Sequence, residues 1–291
     1  MVDLRLERYL DVGRFVGATG EFLEAREAEH NLLLGITATL GAGPAVGSGP
    51  PYLAAVYEGI RVVLVALRTP PWNLVLSEVD RAAAVDLVAR DVADDLARRG
   101  PGASLRGVLG PVEPAATFAR LWSARTGTAA RLQYEERIFQ LTRVMPPPPV
   151  PGGLRAAGPA DRALLGDWLR AFTREALGGD DPGDPDEMVE RWLAGGSRAA
   201  YLWDDGGPVS LAAVGGPTPH GCRIGPVYTP PPSRRRGYAS ACVAAATQRQ
   251  LDLGRRFVFL FTDLANPTAN HIYEAIGYEP VQDVADWRFG T

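Results

Sequence analysis

The chain has 291 residues, of which 46% are hydrophobic and 22% charged, with a net charge of -4. That length and composition suit about two globular domains and exclude wholesale disorder. The two cysteines, Cys222 and Cys242, exclude a disulfide scaffold and a multi-cysteine metal centre.

All 30 basic residues are arginine, so chemistry that needs a Schiff-base, P-loop or kinase-type lysine is excluded. Charge is unevenly spread. Residues 1–150 hold 16 Arg and 17 acids, residues 161–205 hold 5 Arg and 11 acids, and residues 228–256 hold 6 Arg and one acid, Asp252. A basic stretch in an acidic chain points to an anion. Nucleic acid is not expected, because the rest of the chain repels it. No 18-residue apolar run is present, so no membrane partner is expected. Asp3, Arg5, Glu7 and Arg8 do not read as a secretion signal, and the expected location is cytoplasmic.

In chain order, helical periodicity covers 4–17 and 21–40, and a Gly/Pro stretch follows at 41–51. Two strand-like runs, 52–57 and 61–67, flank the hairpin signal Glu58-Gly59. A helix is predicted over 78–98, ending at Gly100. A strand at 105–109, a helix near 114–125 and a β-rich run at 129–144 complete this half. The run Pro146-Pro147-Pro148-Pro149 continues neither helix nor central strand, and it sets the expected boundary: 1–145, a linker at 146–153, and 154–291.

The second half opens with Leu154-Arg155 and a helix over 160–177, whose Leu164, Leu165, Trp168, Leu169 and Phe172 form one apolar face. Asp184-Pro185 starts another helix. Strands are predicted at 199–203, 208–214 and 224–228, then a small-residue helix at 238–253, a buried strand at 257–262, a short helix at 267–276 and a strand near 281–289.

Chemistry concentrates in two segments. In the first, the strand ending Val227-Tyr228-Thr229 feeds Pro230-Pro231-Pro232-Ser233, and then Arg234-Arg235-Arg236-Gly237-Tyr238-Ala239-Ser240 opens a helix. The first amides of a helix have no internal partner, and its dipole favours an anion. Gly237, Ala239 and Ser240 allow close approach, and three arginines add positive field, so the segment reads as a pyrophosphate cradle. It is neither a Walker A loop nor a GxGxxG fingerprint. In the second segment, Asn266 and Pro267 start a helix that Gly277 ends, with Ala269, Ile272, Tyr273 and Ile276 on one stripe. Tyr273 is therefore expected to face inward.

These residues resemble the GNAT N-acetyltransferase superfamily. Arg234 to Ala239 fits that family's acyl-CoA loop, Gln/Arg-x-x-Gly-x-Gly/Ala, and Asn266 to Tyr278 fits Asn-x-x-Ala-x-x-Leu/Ile-Tyr-x-x-x-Gly-Phe/Tyr at every fixed position. Arg235 departs from it, standing where the family often has glycine. Element order extends the resemblance to about residue 154, and residues 1–145 look similar to a degenerate GNAT-like domain without the phosphate loop. The implied fold class is α+β: two GNAT-like domains, each a mixed, mostly antiparallel sheet flanked by helices.

The resemblance implies an acyl-CoA-dependent N-acyltransferase, with acetyl-CoA as co-substrate, no metal, and a primary amine as acceptor that attacks the thioester directly. Backbone of Val227, Tyr228 and Thr229 would meet the pantetheine arm, amides of Arg234, Arg235, Arg236, Gly237, Tyr238, Ala239 and Ser240 the pyrophosphate, and Asn266 and Asn270 the pantetheine. Tyr273 stands at the family's general-acid position, Glu175 is a positional candidate for the base, and the Val227 N–H is a candidate oxyanion donor. Monomer and homodimer stay open. The alternative is an acyl-CoA sensor without turnover.

Structural readings stand beside these. Tyr273 also fits a core tyrosine, Asn266 a helix cap, Asn270 an exposed helix residue, and Glu175 a surface carboxylate. The acids Asp180, Asp181, Asp184, Asp186, Glu187 and Glu190 fit a cationic acceptor, but Asp184, Asp186 and Glu187 fit the start of a helix better. His220 and His271 lack ligand partners in sequence, so zinc is not expected, and Cys242 reads as a core thiol.

Overall fold

A computed structural model describes residues 3–42, 49–79, 81–100, 102–176, 178–179 and 183–290. Asp180 and Asp181 of the acidic cluster lie outside the described residues. Contacts divide the chain into two compact units, Met1–Ile138 with Asp263–Ala265 and Val281–Thr291, and Phe139–Thr262 with Asn266–Pro280.

The first unit contains β1 (Leu4–Arg8), α1 (Val12–Glu24), α2 (Asn31–Gly41), β2 (Tyr52–Glu58), β3 (Arg61–Arg68), β4 (Leu74–Leu76), α3 (Ala82–Arg99), β5 (Gly107–Pro111) and α4 (Val112–Thr126). Its strands run in the order β1-β2-β3-β4-β5. The pairs β1–β2, β2–β3 and β3–β4 are antiparallel and β4–β5 is parallel. Side chains of β2 alternate between two apolar layers. Tyr52, Ala54 and Val56 pack with Val85 and Val88 of α3 and Phe118 of α4; Leu53, Ala55 and Tyr57 pack with Phe15 of α1 and Leu33 of α2. Period-two alternation with both faces covered explains why β2 and β3 read as continuous apolar runs.

One expectation is corrected here. Leu4–Arg8 is a strand, not the start of a helix, with Leu4 opposite Glu58 and Arg8 opposite Ala54. Its Leu-Arg-Leu-Glu-Arg alternation suits a strand, and Arg8 bonds Asp91 and Asp95 of α3 at 3.1 and 2.9 Å. Residues 139–153 group with the second unit, and the outer part of the last strand, β12 (Glu279–Phe289), pairs antiparallel with β5, Val284 to Arg288 against Pro111 to Gly107.

The second unit contains β7 (Gly153–Ala156), α5 (Arg162–Ala176), α6 (Pro185–Leu193), β8 (Ala199–Asp204), β9 (Pro208–Gly215), β10 (Gly221–Tyr228), α7 (Tyr238–Asp252), β11 (Phe257–Asp263) and α8 (Pro267–Ala275). β6 (Ala130–Leu141) precedes it and reaches it with Phe139 and Leu141. The order β7-β8-β9-β10-β11 is antiparallel until the parallel pair β10–β11. Again two layers cover the sheet. Leu165, Trp168 and Trp192 of α5 and α6 pack on Leu202 and Leu211, while Cys242, Val243 and Ala246 of α7 pack on Tyr201, Ala212 and Val258. Burying each such side chain contributes about 1.5–3 kcal/mol. Asp184 caps α6, accepting from the Asp186 N–H at 2.9 Å, so this acid is engaged with its own helix.

Candidate active site

The site grows from the parallel pair β10–β11 of the second unit. β10 and β11 are in register at Gly221–Phe257, Cys222–Val258 and Arg223–Phe259, and among the described residues the pairing goes no further, although β10 runs to Tyr228 and β11 to Asp263. On the other side of β10 the register with β9 shifts between Ile224 and Val227. Gly225-Pro226 occupies that bulge; proline has no N–H for a ladder, and a bulge turns the following residues out of the regular pleat. Beyond Arg223, the end of β10 is therefore not paired with β11 among the described residues.

Past Thr229 the chain makes a short turn, with the Ser233 N–H donating to Pro230 O at 2.9 Å and the Arg234 N–H to Pro231 O at 3.3 Å. Arg235 then takes φ 61°, and Gly237 caps α7 at φ 82°. Ala241 donates to Gly237 O at 3.0 Å and is the first amide inside the helix, so the amides of Tyr238, Ala239 and Ser240 point ahead of it. Arg234, Arg235 and Arg236 are exposed. The expected set of loop amides thus loses Arg234, whose N–H is engaged within the turn, and the free donors cluster at the start of α7. Tyr238 is buried beside them, and its hydroxyl donates to Asp205 at 2.5 Å, fastening the helix start to the β8–β9 turn.

The Arg234 side chain folds back. Its Nε donates to Thr229 O at 2.8 Å, its guanidinium lies 5.7 Å from the Tyr228 ring, and it pairs with the Glu175 carboxylate. Tyr228 also donates to Glu175, at 3.0 Å, and its ring stands 6.0 Å from Trp168. The Arg234 guanidinium, and secondarily the Tyr228 hydroxyl, hold the Glu175 carboxyl below the usual carboxylate range. Burial and the bond to Glu175 raise Tyr228. Ser210 and Thr229 hydroxyls bond at 2.9 Å. Thus Glu175, Tyr228, Thr229 and Arg234 form one network. Asp205 and Ser210 support the site without a motif that marks them in sequence, and Trp168, read in sequence only as part of the apolar face of its helix, stands against Tyr228.

α8 supplies the other residues. Asn266 is exposed and caps the helix, accepting from the Ala269 N–H at 3.1 Å. Asn270 is half-buried one turn on, and His271 is exposed. Tyr273 faces inward at 9% exposure, with its ring edge-on to Tyr278 at 6.0 Å. Burial pushes its hydroxyl up to about 12. Cys242 is fully buried and its thiol is pushed up to about 12 by burial, which leaves it inert. Among the described residues no three His, Cys, Asp or Glu side chains gather into a metal site, and no helix is long and apolar enough to cross a membrane.

The corresponding pair in the first unit differs. β4 and β5 are in register at Leu74–Val108 and Val75–Leu109, and a Cβ placed on Gly110 would meet Leu76 Cβ and O at 3.1 Å. The backbones of Leu76 and Gly110 therefore stay close at the end of this pair. Ser77-Glu78 follows β4, where the second unit has its arginine-rich loop.

Residues 165–278 match the model of the acetyltransferase (GNAT) family. No curated protein matches the sequence. Solved structures with similar folds include a Drosophila protein, 14% identical with a TM-score of 0.65 and 98% of both chains covered. Another is a GCN5-related N-acetyltransferase from Kribbella flavida, 17% identical with a TM-score of 0.59, covering 91% of this chain and 96% of that one. A third is a tandem GNAT protein from the clavulanic acid biosynthesis pathway, 16% identical with a TM-score of 0.57 and 98% of both chains covered. The fold is α+β with two GNAT-like halves.

Proposed function

We propose that this chain, which belongs to the GNAT superfamily of acyl-CoA-dependent N-acetyltransferases and carries a second GNAT-like half before its matched domain, moves the acetyl group of acetyl-CoA directly onto a primary amine within a ternary complex. The observation that carries this reading is the end of the β10–β11 pairing at Arg223–Phe259, with α7 opening at Gly237 just beyond β10. A wedge between parallel strands suits an extended thioester arm, and a helix start with three arginines beside it suits the pyrophosphate.

Acetyl-CoA supplies an activated acyl group. The amides of Tyr238, Ala239 and Ser240 would take the pyrophosphate, with Arg235 and Arg236 adding field, and Val227, Tyr228, Thr229, Asn266 and Asn270 would line the arm. The Val227 N–H would face the carbonyl oxygen that gains charge as the amine nitrogen bonds to carbon. The carbon–sulfur bond then breaks, and the sulfur requires a proton.

In the proposed reaction Tyr273 supplies it. With its hydroxyl near 12 it stays protonated at neutral pH. Complete transfer to a thiolate of ordinary pKa near 8.5 would be uphill by roughly 3.5 units, on the order of 5 kcal/mol. Tyr273 therefore acts by donating a hydrogen bond as charge builds on sulfur, with solvent completing the transfer.

Glu175 is a poor proton acceptor in this geometry, because Arg234 and Tyr228 stabilise its charged form. Its role in the proposed reaction is to position the end of β10 and the loop, and water takes the amine's proton. Replacement of Tyr273 by Phe tests the enzyme: turnover should fall while acetyl-CoA still binds. Turnover equal to wild type would remove Tyr273 from the reaction and favour a protein that only binds acyl-CoA.

A further inference from the structure

The first unit holds a cavity of about 1030 Å³ that the proposed transfer does not use. Arg68, Arg99 and Arg106 line it, together with Trp122, Thr126 and Phe289. It lies where β3 ends, β5 begins and α3 and α4 finish, at the opposite end of β4 and β5 from the Ser77–Arg81 segment. It is therefore distinct from the position that matches the phosphate loop of the second unit.

Arg68 is the informative residue. It is only 7% exposed, yet its bonds go to neutral acceptors, Nε to Trp72 O at 3.0 Å and Nη2 to Ser104 O at 2.6 Å. Among the described residues no carboxylate lies within ion-pair distance of it. The nearby acid, Asp95, is already bonded by Arg8 at 2.9 Å and Arg99 at 2.6 Å. Burial, with repulsion from Arg99, lowers the Arg68 pKa, as expected for a cation without a counter-ion. A buried charge normally carries a partner.

The charges around the cavity favour an anion. The C-terminal ends of α3 and α4 each present about half a negative charge; of the guanidiniums that line the same space, Arg99 is paired with Asp95, whereas Arg68 has no carboxylate within ion-pair distance among the described residues. The opposite wall is aromatic. Trp122 and Phe289 lie 5.7 Å apart with planes inclined at 32°, and Phe118 packs behind them. A cationic head group beside an aromatic wall selects a ligand with a charged end and a flat apolar body.

We propose that this cavity binds a small organic oxyanion, a carboxylate or a phosphate monoester on a flat apolar ring, with Arg68 as its counter-ion and Trp122 and Phe289 against the ring. The site is independent of the acyl-CoA wedge.

The experiment is calorimetric titration of the full-length protein, saturated with acetyl-CoA, with phenyl phosphate and with benzoate. At least one probe should bind one per chain, unaffected by acetyl-CoA, and at least about tenfold more tightly than phenol or inorganic phosphate; which of the two binds better identifies the head group. Arg68→Gln should weaken it by about tenfold or more. Arg68 also ties two loops, so if that variant does not fold, Thr126→Trp, which fills the cavity from the end of α4, decides: binding should be lost with the fold intact. Absence of binding by wild type at millimolar probe, displacement of the probe by acetyl-CoA, or unchanged binding in a folded variant would overturn the proposal.

Discussion

The carboxylate of Glu175 on α5 holds the guanidinium of Arg234, the first residue of the arginine-rich loop, 59 positions away in sequence. Through that pair, and through the bond from Tyr228 to the same carboxylate, a helix of the second unit fixes both the last residue of β10 and the path of the loop that follows. The pair is solvent-accessible, so its contribution to global stability is small. Its effect is on where the loop sits.

Glu175→Gln should therefore act on cofactor binding. We expect the KM for acetyl-CoA to rise about three- to tenfold while kcat changes less than about twofold, the signature of lost binding. Steady-state kinetics with acetyl-CoA varied checks this. A fall of about a hundredfold in kcat with a shifted acid limb of the pH profile would instead make Glu175 the general base.

Tyr273→Phe should show the reverse split. Loss of a positioned proton donor costs about 10²-fold or more in kcat, and the acetyl-CoA dissociation constant should change little, because the ring stays packed on Tyr278. Single-turnover rates alongside equilibrium titration separate the two.

Arg235 stands at φ 61°, a left-handed conformation that disfavours a side chain. Arg235→Gly removes that penalty but adds freedom to the unfolded chain. The net expectation is a gain of about 0.5–1 kcal/mol in denaturant unfolding of the second unit, with acetyl-CoA affinity lowered by at most a few-fold through the lost charge.

Alkaline pH should destabilise the protein. Tyr273 titrates near 12 when folded and near 10 when unfolded. A group whose folded pKa is raised contributes stability that is complete below the unfolded pKa and lost as pH rises through the folded one. As the pH rises from below 10 to above 12, Tyr273 alone therefore loses stability on the order of 2–3 kcal/mol. Tyr278, also raised by burial, adds to the loss. Urea midpoints at pH 8, 10 and 11 measure it, and Tyr273→Phe should flatten part of the slope.

How much was legible in sequence follows from where the determinants lie. The loop Arg234 to Ser240 and the α8 helix carry their information locally, in spacing, glycine and caps, and they were readable. The inward face of Tyr273 followed from helical period alone. Leu4–Arg8 misled, because five residues carry too little period to separate strand from helix, and its partner β2 lies about 50 residues away. β4 is three residues long and gives no pattern of its own. The Glu175–Arg234 pair and the lack, among the described residues, of a carboxylate within ion-pair distance of Arg68 depend on contacts between distant segments, which no local window contains. Composition also carries no sign that the last strand pairs with β5 and so groups with the first unit, because the two lie far apart in sequence.

The most direct test is calorimetric titration of acetyl-CoA into the wild-type protein and into the double variant Arg234→Glu, Arg236→Glu. The account predicts one binding site per chain in wild type and affinity weakened at least about tenfold in the variant, since the Arg236 charge beside the pyrophosphate changes sign and the Arg234–Glu175 pair that seats the loop is lost. No binding by the wild type, or equal binding by a folded double variant, would contradict the placement of the cofactor on this loop.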